Sequence, residues 1–500
     1  MYSRIDSAVC CGIEGRTVLV ETDISRGLPG ISIVGLPSAT VMESRERIKS
    51  AVINSGYDFP RGRITVNLTP ASLRKNNSGL DLPIAVGILM SSGELSFASA
   101  CRWGIIGELA LDGSILGIDG ALPMLLRMRK EGLEGIIAPA ENSQESVMAG
   151  GNIHLARSLA ECVEILKTRP AASELAGEYP GVEYAEAADY GDIAGQENAK
   201  RAMVIAAAGR HGLLMIGTPG CGKTMLAGRL PGIMPAMNER EMLETAVIRS
   251  VSGCRGDEIR LSRIRPFRAP HHSIGRAGLI GGGTYPVPGE ITMAHNGVLF
   301  LDEVCEFDMK TIESLRIPME EKRITHFRKG EAYTFPCNFQ TVMAANPCPC
   351  GYLGDRDREC RCTQADLDRY RRKLSGPIMD RIDMNISMDK VKYEDLADCR
   401  RGLDTAAMRA QVEAASAFAM ESGRKNSNSE LTTAETEKYC RLGSSEKAFM
   451  NRAYDAFSMS PRAYTRTLKV ARTIADLDSS ETIKNGHLAE ALNFRIEYER

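Results

Sequence analysis

Five hundred residues allow about three domains of ordinary size. The chain carries 62 basic and 64 acidic side chains, a net charge of −2, so bulk electrostatics singles out neither nucleic acid nor a membrane surface as a partner. No apolar run is long enough to span a bilayer, and Met1–Val20, interrupted by Arg4, Asp6, Glu14 and Arg16, lacks the apolar centre of a signal peptide; a soluble, cytoplasmic protein is expected.

In chain order, residues 1–168 are rich in Gly, Val and Ile and in short strand-like runs such as Arg16–Val20 and Arg63–Leu68. Residues 169–190, with Pro170 and Pro180 among Glu and Ala, read as a linker. Asp192–Gln196 then open a helix-rich approach to Leu213–Ile216, an apolar run that reads as a buried strand. Directly after it comes Gly217-Thr218-Pro219-Gly220-Cys221-Gly222-Lys223-Thr224, a complete phosphate-binding loop, and Met225–Leu230 reads as the helix that follows such a loop. Its backbone N–H groups can surround phosphate oxygens, helped by the positive end of the helix. Lys223 is placed to reach the β- and γ-phosphates, and the Thr224 hydroxyl to ligate Mg²⁺. The expected ligand is ATP with Mg²⁺.

Gly297–Glu303 is an apolar strand ending in two carboxylates. In this order after a phosphate loop, Asp302 is expected to hold the Mg²⁺ shell and Glu303 to polarise the attacking water. A third apolar run, Thr341–Ala345, ends at Asn346, whose amide can orient water and sense the γ-phosphate; the alternative is a turn residue ahead of Pro347. Next come Cys348 and Cys350, then Cys360 and Cys362. Two C-x-C pairs within one short stretch suit a structural tetrahedral zinc site, with free thiols or a regulated disulfide as alternatives. The other ten of the fourteen cysteines stand singly or adjacent, as at Cys10-Cys11, and suggest reduced thiols rather than a disulfide framework. Arg381 lies on a turn between a helix and the apolar strand Ile382–Met388. From about Val391 the pattern is helical to the end, and Ser460-Pro461-Arg462 begins a helix with proline in its first turn. Taken singly, each arginine reads first as a surface ion-pair partner.

Together these residues resemble the AAA+ ATPases and, within them, the magnesium-chelatase-like branch that includes the competence-related ComM and YifB proteins. The strings that carry the resemblance are Arg265–Ser273, Gly281–Gly283, Pro288–Ile291, Ala294–Glu303, Asn346–Gly351 and Ala463–Leu477. The resemblance implies an α/β AAA+ P-loop core over 191–390, a helical lid over 391–500, and an N-terminal α+β domain of the Lon-protease/ribosomal-S5 type over 1–168. It further implies a hexameric ring. Arg381 would be the finger that reaches the neighbouring subunit's γ-phosphate, and Arg462 the arginine that contacts the γ-phosphate within its own subunit. His271 and His272 fall in a family insertion and receive no chemistry.

Gly107–Gly113 and Ile136–Asn142 resemble Lon stretches. A Lon site needs a serine nucleophile and a lysine base. Here Ser78 is offset by a residue from the serine position and Leu122 stands at the lysine position, so no peptidase activity is expected and the domain reads as a binding or assembly platform.

Two substrate classes follow for the motor. By resemblance the first is single-stranded or branched DNA, with helicase or branch-migration activity in recombination or natural transformation and recombination proteins as further partners. Basic clusters between Arg249 and Arg276, and at Arg369-Tyr370-Arg371-Arg372-Lys373, can contact phosphates without reading sequence, or can serve as solvated faces and intersubunit pairs. The second class is ATP-driven protein remodelling, of the chelatase-subunit or unfoldase kind.

Overall fold

The computed structural model describes residues 2–75, 78–96, 102–170, 188–328, 330–355, 358–374, 376–391 and 403–496. Two sheets organise them. The first is built from β1 (Tyr2–Cys11), β2 (Glu14–Ser25), β3 (Gly30–Val34), β4 (Arg63–Thr69), β5 (Trp103–Ile105), β8 (Gly135–Pro139) and β9 (Ile153–Ala156), in the order β3-β4-β2-β1-β5-β8-β9. A separate two-strand ribbon joins β6 (Glu108–Leu109) to β7 (Ile115–Leu116). The long β1–β2 hairpin is antiparallel, and the sheet continues in parallel from β1 through β5 and β8 to β9. In β2, Val18, Val20 and Thr22 are buried while Thr17, Leu19 and Glu21 between them are only partly so, the period-2 signature of a strand with one face covered. The helices Ala39–Asn54 and Asp81–Ser92 pack on one core of this region.

The second sheet comprises β10 (Leu213–Gly217), β11 (Phe267–Arg268), β12 (Val298–Leu301), β15 (Gln340–Ala345) and β16 (Met384–Met388), in the order β11-β12-β15-β10-β16. Every pairing is parallel. All residues of β12 and β15 are buried, as expected for central parallel strands covered on both faces. In such a sheet, ligands gather beyond the carboxyl ends of the strands, where the glycine loop after β10 lies. Between β12 and β15 a hairpin of β13 (Arg323–Arg328) and β14 (Glu331–Pro336) projects from the sheet.

From Thr405 onward the described residues form helices, with no strand among them. They share one apolar core with the helix Glu197–Gly209 and with β10, β15 and β16, so this helical region is seated directly on the sheet. Of the expected linker, residues 171–187 lie outside the described residues. At its far end Asp189 accepts hydrogen bonds from the Thr405 N–H (2.7 Å) and hydroxyl (2.8 Å), and Tyr190 is fully buried with its hydroxyl donating to Leu226 O at 2.8 Å. Those two residues therefore belong to the packed body.

The N-terminal region and the second body also touch. Leu122, at the position where the Lon resemblance looks for a lysine, is buried in a cluster with Met242 and Ala246 of the helix Glu239–Val251. Its N–H donates to Ser250 Oγ at 3.2 Å, and the Gly120 N–H donates to Ser250 O at 2.8 Å. Arg255 pairs with Asp119 at 3.1 Å beside this seam. No helix among the described residues is long and apolar enough to cross a membrane.

Candidate nucleotide site

The loop between β10 and the helix Lys223–Arg229 turns twice through left-handed backbone, at Gly220 (φ +82°) and Gly222 (φ +95°). Side chains resist that conformation, and nothing lies within 4 Å of where a Cβ would stand at either residue, which leaves an open cradle of backbone. The Lys223 ammonium donates to Gly217 O at 2.6 Å, Thr218 O at 3.2 Å and Asn346 Oδ1 at 3.3 Å. All three acceptors are neutral, and a phosphate would be the stronger partner. Thr218 Oγ1 is buried without a partner, a second polar atom on this loop suited to a ligand. The donor set fits a triphosphate.

Thr224 Oγ1 donates to Asp302 Oδ2 at 2.6 Å, which joins the two residues expected to hold Mg²⁺. Asp302 Oδ1 in turn accepts the Glu303 N–H at 2.9 Å. Glu303 itself has φ +49°, rare for a residue with a side chain, and its carboxylate is half exposed at the carboxyl end of β12. Such strain concentrates where function fixes a side chain. The structure thus brings together the whole glycine loop, Lys223, Thr224, Asp302, Glu303 and Asn346.

One neighbour was not foreseen. His272 Nδ1 stands 3.7 Å from Glu303 Oε2, with the His271 ring 4.0 Å from its own and His271 Nδ1 2.9 Å from Ser273 Oγ. The adjacent histidines were visible in the sequence; their approach to Glu303 depends on β11 pairing with β12, a contact the sequence pattern does not specify.

The four cysteines converge as well. Their sulfurs lie within 4.8 Å of one another, with Cys348–Cys350 at 3.3 Å and Cys360 3.6 Å from each of these two. Four thiolates about 2.3 Å from one ion would sit roughly 3.8 Å apart, whereas a disulfide needs about 2.05 Å. Backbone N–H groups of Arg361 and Tyr352 pull the Cys350 thiol down to about 6, while the neighbouring Cys360 and Cys362 thiols are pushed up, so the crowded sulfurs favour one thiolate among protonated neighbours until a cation replaces the protons. The donor set fits a structural zinc ion held by Cys348, Cys350, Cys360 and Cys362. This cluster abuts the nucleotide loop: a Cβ on Gly351 (φ +82°) would come within 2.9 Å of the Pro219 ring.

Arg381 and Arg462 lie elsewhere. Gly217, at the phosphate loop, pairs with Met388 at the end of β16, while Arg381 lies just ahead of the start of that strand and so marks the opposite, amino-terminal end of the parallel strands. There Arg381 pairs with Glu320 at 2.6 Å and donates to Arg316 O at 3.1 Å and to Pro377 O. Arg462 stands 3.8 Å from the same Glu320. Its helix, Pro461–Leu477, is capped by Ser460 and docks through Arg466, which donates to Ile382 O at 3.3 Å. The resemblance assigns Arg462 the γ-phosphate of its own subunit; in the structure its ion-pair partner is Glu320. The two arginines share one carboxylate at the far end, and Glu320, their common partner, carried no sequence signal.

Comparisons with known proteins agree with this geometry. The family described as magnesium chelatase, subunit ChlI, matches residues 189–396; related ChlI descriptions match residues 20–142 and, for its C-terminal part, 402–495. The competence protein ComM of Haemophilus influenzae is 41% identical over 99% of this chain and 97% of its own length. The YifB protein of Escherichia coli is 39% identical, with coverage of 99% and 97%. A Lon protease of Leptospira interrogans is 28% identical over 26% of this chain and 16% of its own.

Proposed function

The chain belongs to the magnesium-chelatase-like family of ComM and YifB, a family of AAA+-type ATPases, and from that premise we propose that it is a ring-forming motor that hydrolyses ATP to move on single-stranded or branched DNA. The backbone of Gly217–Thr224 and the Lys223 ammonium hold the triphosphate. Thr224 and Asp302 hold Mg²⁺, which would neutralise charge on the phosphate oxygens. Glu303 takes the proton of the attacking water, and Asn346, already bound to Lys223, fixes where that water sits. Arg381, paired with Glu320 in the isolated chain, serves the site of the next subunit in the ring, where a guanidinium stabilises the charge of the transition state, and Arg462, beside the same Glu320, couples the helical region to its own subunit's nucleotide. The cysteine cluster, with zinc, braces the loop against Pro219. The N-terminal region serves as a Lon-like platform seated on the helix Glu239–Val251, and the helical region as the lid.

The observation that supports DNA is the β13–β14 hairpin. Phe327, next to its tip, is 72% exposed, with Arg328 beside it and Arg323 on the same strand at the base of the hairpin. Arg328 Nε donates to Gly283 O at 3.1 Å, so the hairpin rests on the turn that carries the exposed Tyr285. An exposed ring beside a guanidinium can stack on bases and contact phosphates without reading sequence. The test is the ATPase rate with single-stranded, duplex and forked DNA at low and moderate salt. Stimulation that depends on DNA structure, weakens with salt and is lost in Phe327→Ala with basal turnover intact supports the reading. An active ATPase indifferent to every DNA overturns it in favour of protein remodelling.

A further inference from the structure

A buried chain of hydrogen bonds ties the helical region to the end of the strands away from the phosphate loop. Its centre is His211, fully buried between the helix Glu197–Gly209 and β10. The Nε2 atom lies 2.8 Å from Thr473 Oγ1 on the helix Pro461–Leu477, and Nδ1 lies 3.2 Å from Asp383 Oδ2, just ahead of β16. Asp383 also accepts the Gly212 N–H at 3.1 Å and stands 3.6 Å from Arg466 Nε. Burial pushes the Asp383 carboxyl up, but His211, Arg466 and the Gly212 N–H hold it below its ordinary value, so it is an anion that only accepts. It therefore takes the proton on Nδ1, and Nε2 accepts from the Thr473 hydroxyl; Lys469 O, at 3.2 Å, is the more distant acceptor for that hydroxyl. Behind Thr473, Asn428 Nδ2 donates to its oxygen at 3.0 Å and to Asp476 at 2.6 Å. Every link has a donor and an acceptor, from the buried cluster at Asp476 to the start of β16.

Gly209 shows that the sequence makes room for this chain. Its backbone is not left-handed, yet a Cβ there would stand 2.3 Å from His211 Nε2 and 2.6 Å from Thr473 Oγ1. Alanine would favour the helix that Gly209 closes, and it would part the two side chains that meet beside it. His211 and Thr473 are both fully buried, so neither meets a substrate. What a satisfied buried chain supplies is placement: it holds the elements it joins in one arrangement. The elements here are the helix that carries Arg462 and the segment that carries Arg381. Arg466, one turn beyond Arg462, donates to Ile382 O at 3.3 Å, and Asp383 is gripped through His211. Residues 382 and 383, directly after Arg381, are thus both held by the helical region.

We propose that His211 and Thr473 are positioning residues for Arg381: through Asp383 they fix the finger to the helical region, so that the two move as one body when nucleotide binds. The inference rests on the reading of Arg381 as the finger for the next subunit and is independent of DNA.

Thr473→Val keeps the branched shape and removes the hydroxyl, which cuts the chain at its centre. Its ATP turnover is measured against ATP concentration, alone and in Arg381→Ala protein, with labelled ATP to reach the slow rates. Turnover at saturation should fall about tenfold with KM unchanged, and Thr473→Ser, which restores the hydroxyl, should recover most of it. In Arg381→Ala protein the same Thr473→Val change should lower turnover by less than about twofold, because its effect passes through the arginine already removed. His211→Gln, whose amide reaches Thr473 but not Asp383 as well, cuts the other bond and should give the same pattern, which covers the case in which Thr473→Val does not fold. An equal loss with and without Arg381, or a lowered melting temperature with turnover intact, overturns the proposal and leaves the chain as packing. Full turnover in Arg381→Ala alone overturns the finger reading and this inference with it, a result recognised without any change at Thr473 or His211.

Discussion

In the N-terminal region the buried charges are consumed internally. Lys75 is fully buried and directs its ammonium at three carbonyls, those of Gly35 and Leu68 at 2.7 Å and that of Pro70, while Asp81 is pinned by Arg47 at 2.9 Å. Around the five-stranded sheet the reverse holds. Glu303 is 51% exposed and Arg462 64%, Lys223 rests only on neutral acceptors, and the glycine loop presents bare backbone. A donor whose hydrogens are all satisfied has nothing left for a ligand, whereas one held by weak or exchangeable partners does. The contrast separates scaffold from engine, and substitutions on the two sides should differ in kind: lost turnover on one, lost stability on the other.

The largest effect is expected at Arg381. Arg381→Ala should lower ATP turnover by about 10³-fold or more, the range of an arginine finger, while ATP binding changes by less than about threefold. Steady-state hydrolysis and equilibrium nucleotide binding check this. Unchanged turnover would reduce the Arg381–Glu320 pair to an ion pair of the scaffold kind and erase the contrast at that end. Next in size is Glu303→Gln, expected to lose about 10²–10⁴-fold in turnover with bound ATP retained. Full activity would remove Glu303 from the role of base and leave its φ of +49° without a function.

The two ends of the parallel strands also differ in how much of them the sequence discloses. The phosphate loop, Asp302, Glu303 and Asn346 each sit at the end of a short apolar run, so strand pattern plus one polar residue locates them, and parallel pairing does the rest. The cysteines are legible for a similar reason, since two C-x-C pairs in one loop need little help to meet. At the other end, Arg381 and Arg462 are far apart in the chain and meet through Glu320 on a third element. No local pattern encodes such a meeting. The resemblance named both arginines, and only the packing of the helix Pro461–Leu477 on the segment ahead of β16 brings them to one carboxylate. Leu122 illustrates the same limit: its chemistry is legible, but its burial against the helix Glu239–Val251 is not.

The helical region contains scaffold of its own, which sharpens the comparison. Asp476 is 2% exposed and joins Arg424 at 2.7 Å, Arg472 at 3.0 Å and Asn428 Nδ2 at 2.6 Å. Asp476→Ala leaves two buried guanidinium groups without their counter-charge, at a cost of about 3–5 kcal/mol. The urea midpoint should fall accordingly. A shift below about 1 kcal/mol would mean that water reaches both arginines and that this cluster behaves like the exposed end.

The smallest effect concerns the N-terminal scaffold, where pH supplies the handle. Burial raises the Asp81 carboxyl from 3.8 to about 6, against the opposing pull of Arg47. A carboxyl whose pKa is raised by folding prefers its proton in the folded state. Its favourable contribution is therefore present below about pH 4 and is lost as the pH rises through about 6. Asp81→Asn is blind to this change. Relative to the parent protein, the variant should gain on the order of 2 kcal/mol in stability between pH 4 and pH 7, whatever constant offset the substitution brings. Trp103, the chain's single tryptophan, is buried in β5 of the same region, so its fluorescence in urea reports this unfolding locally. Turnover at pH 7 should not change, because Asp81 belongs to the side of the molecule whose charges are already spoken for. A stability difference flat across that window would mean that the Arg47 pair compensates Asp81 fully; a change in turnover would mean that the N-terminal sheet is coupled to the nucleotide site through the seam at Ser250.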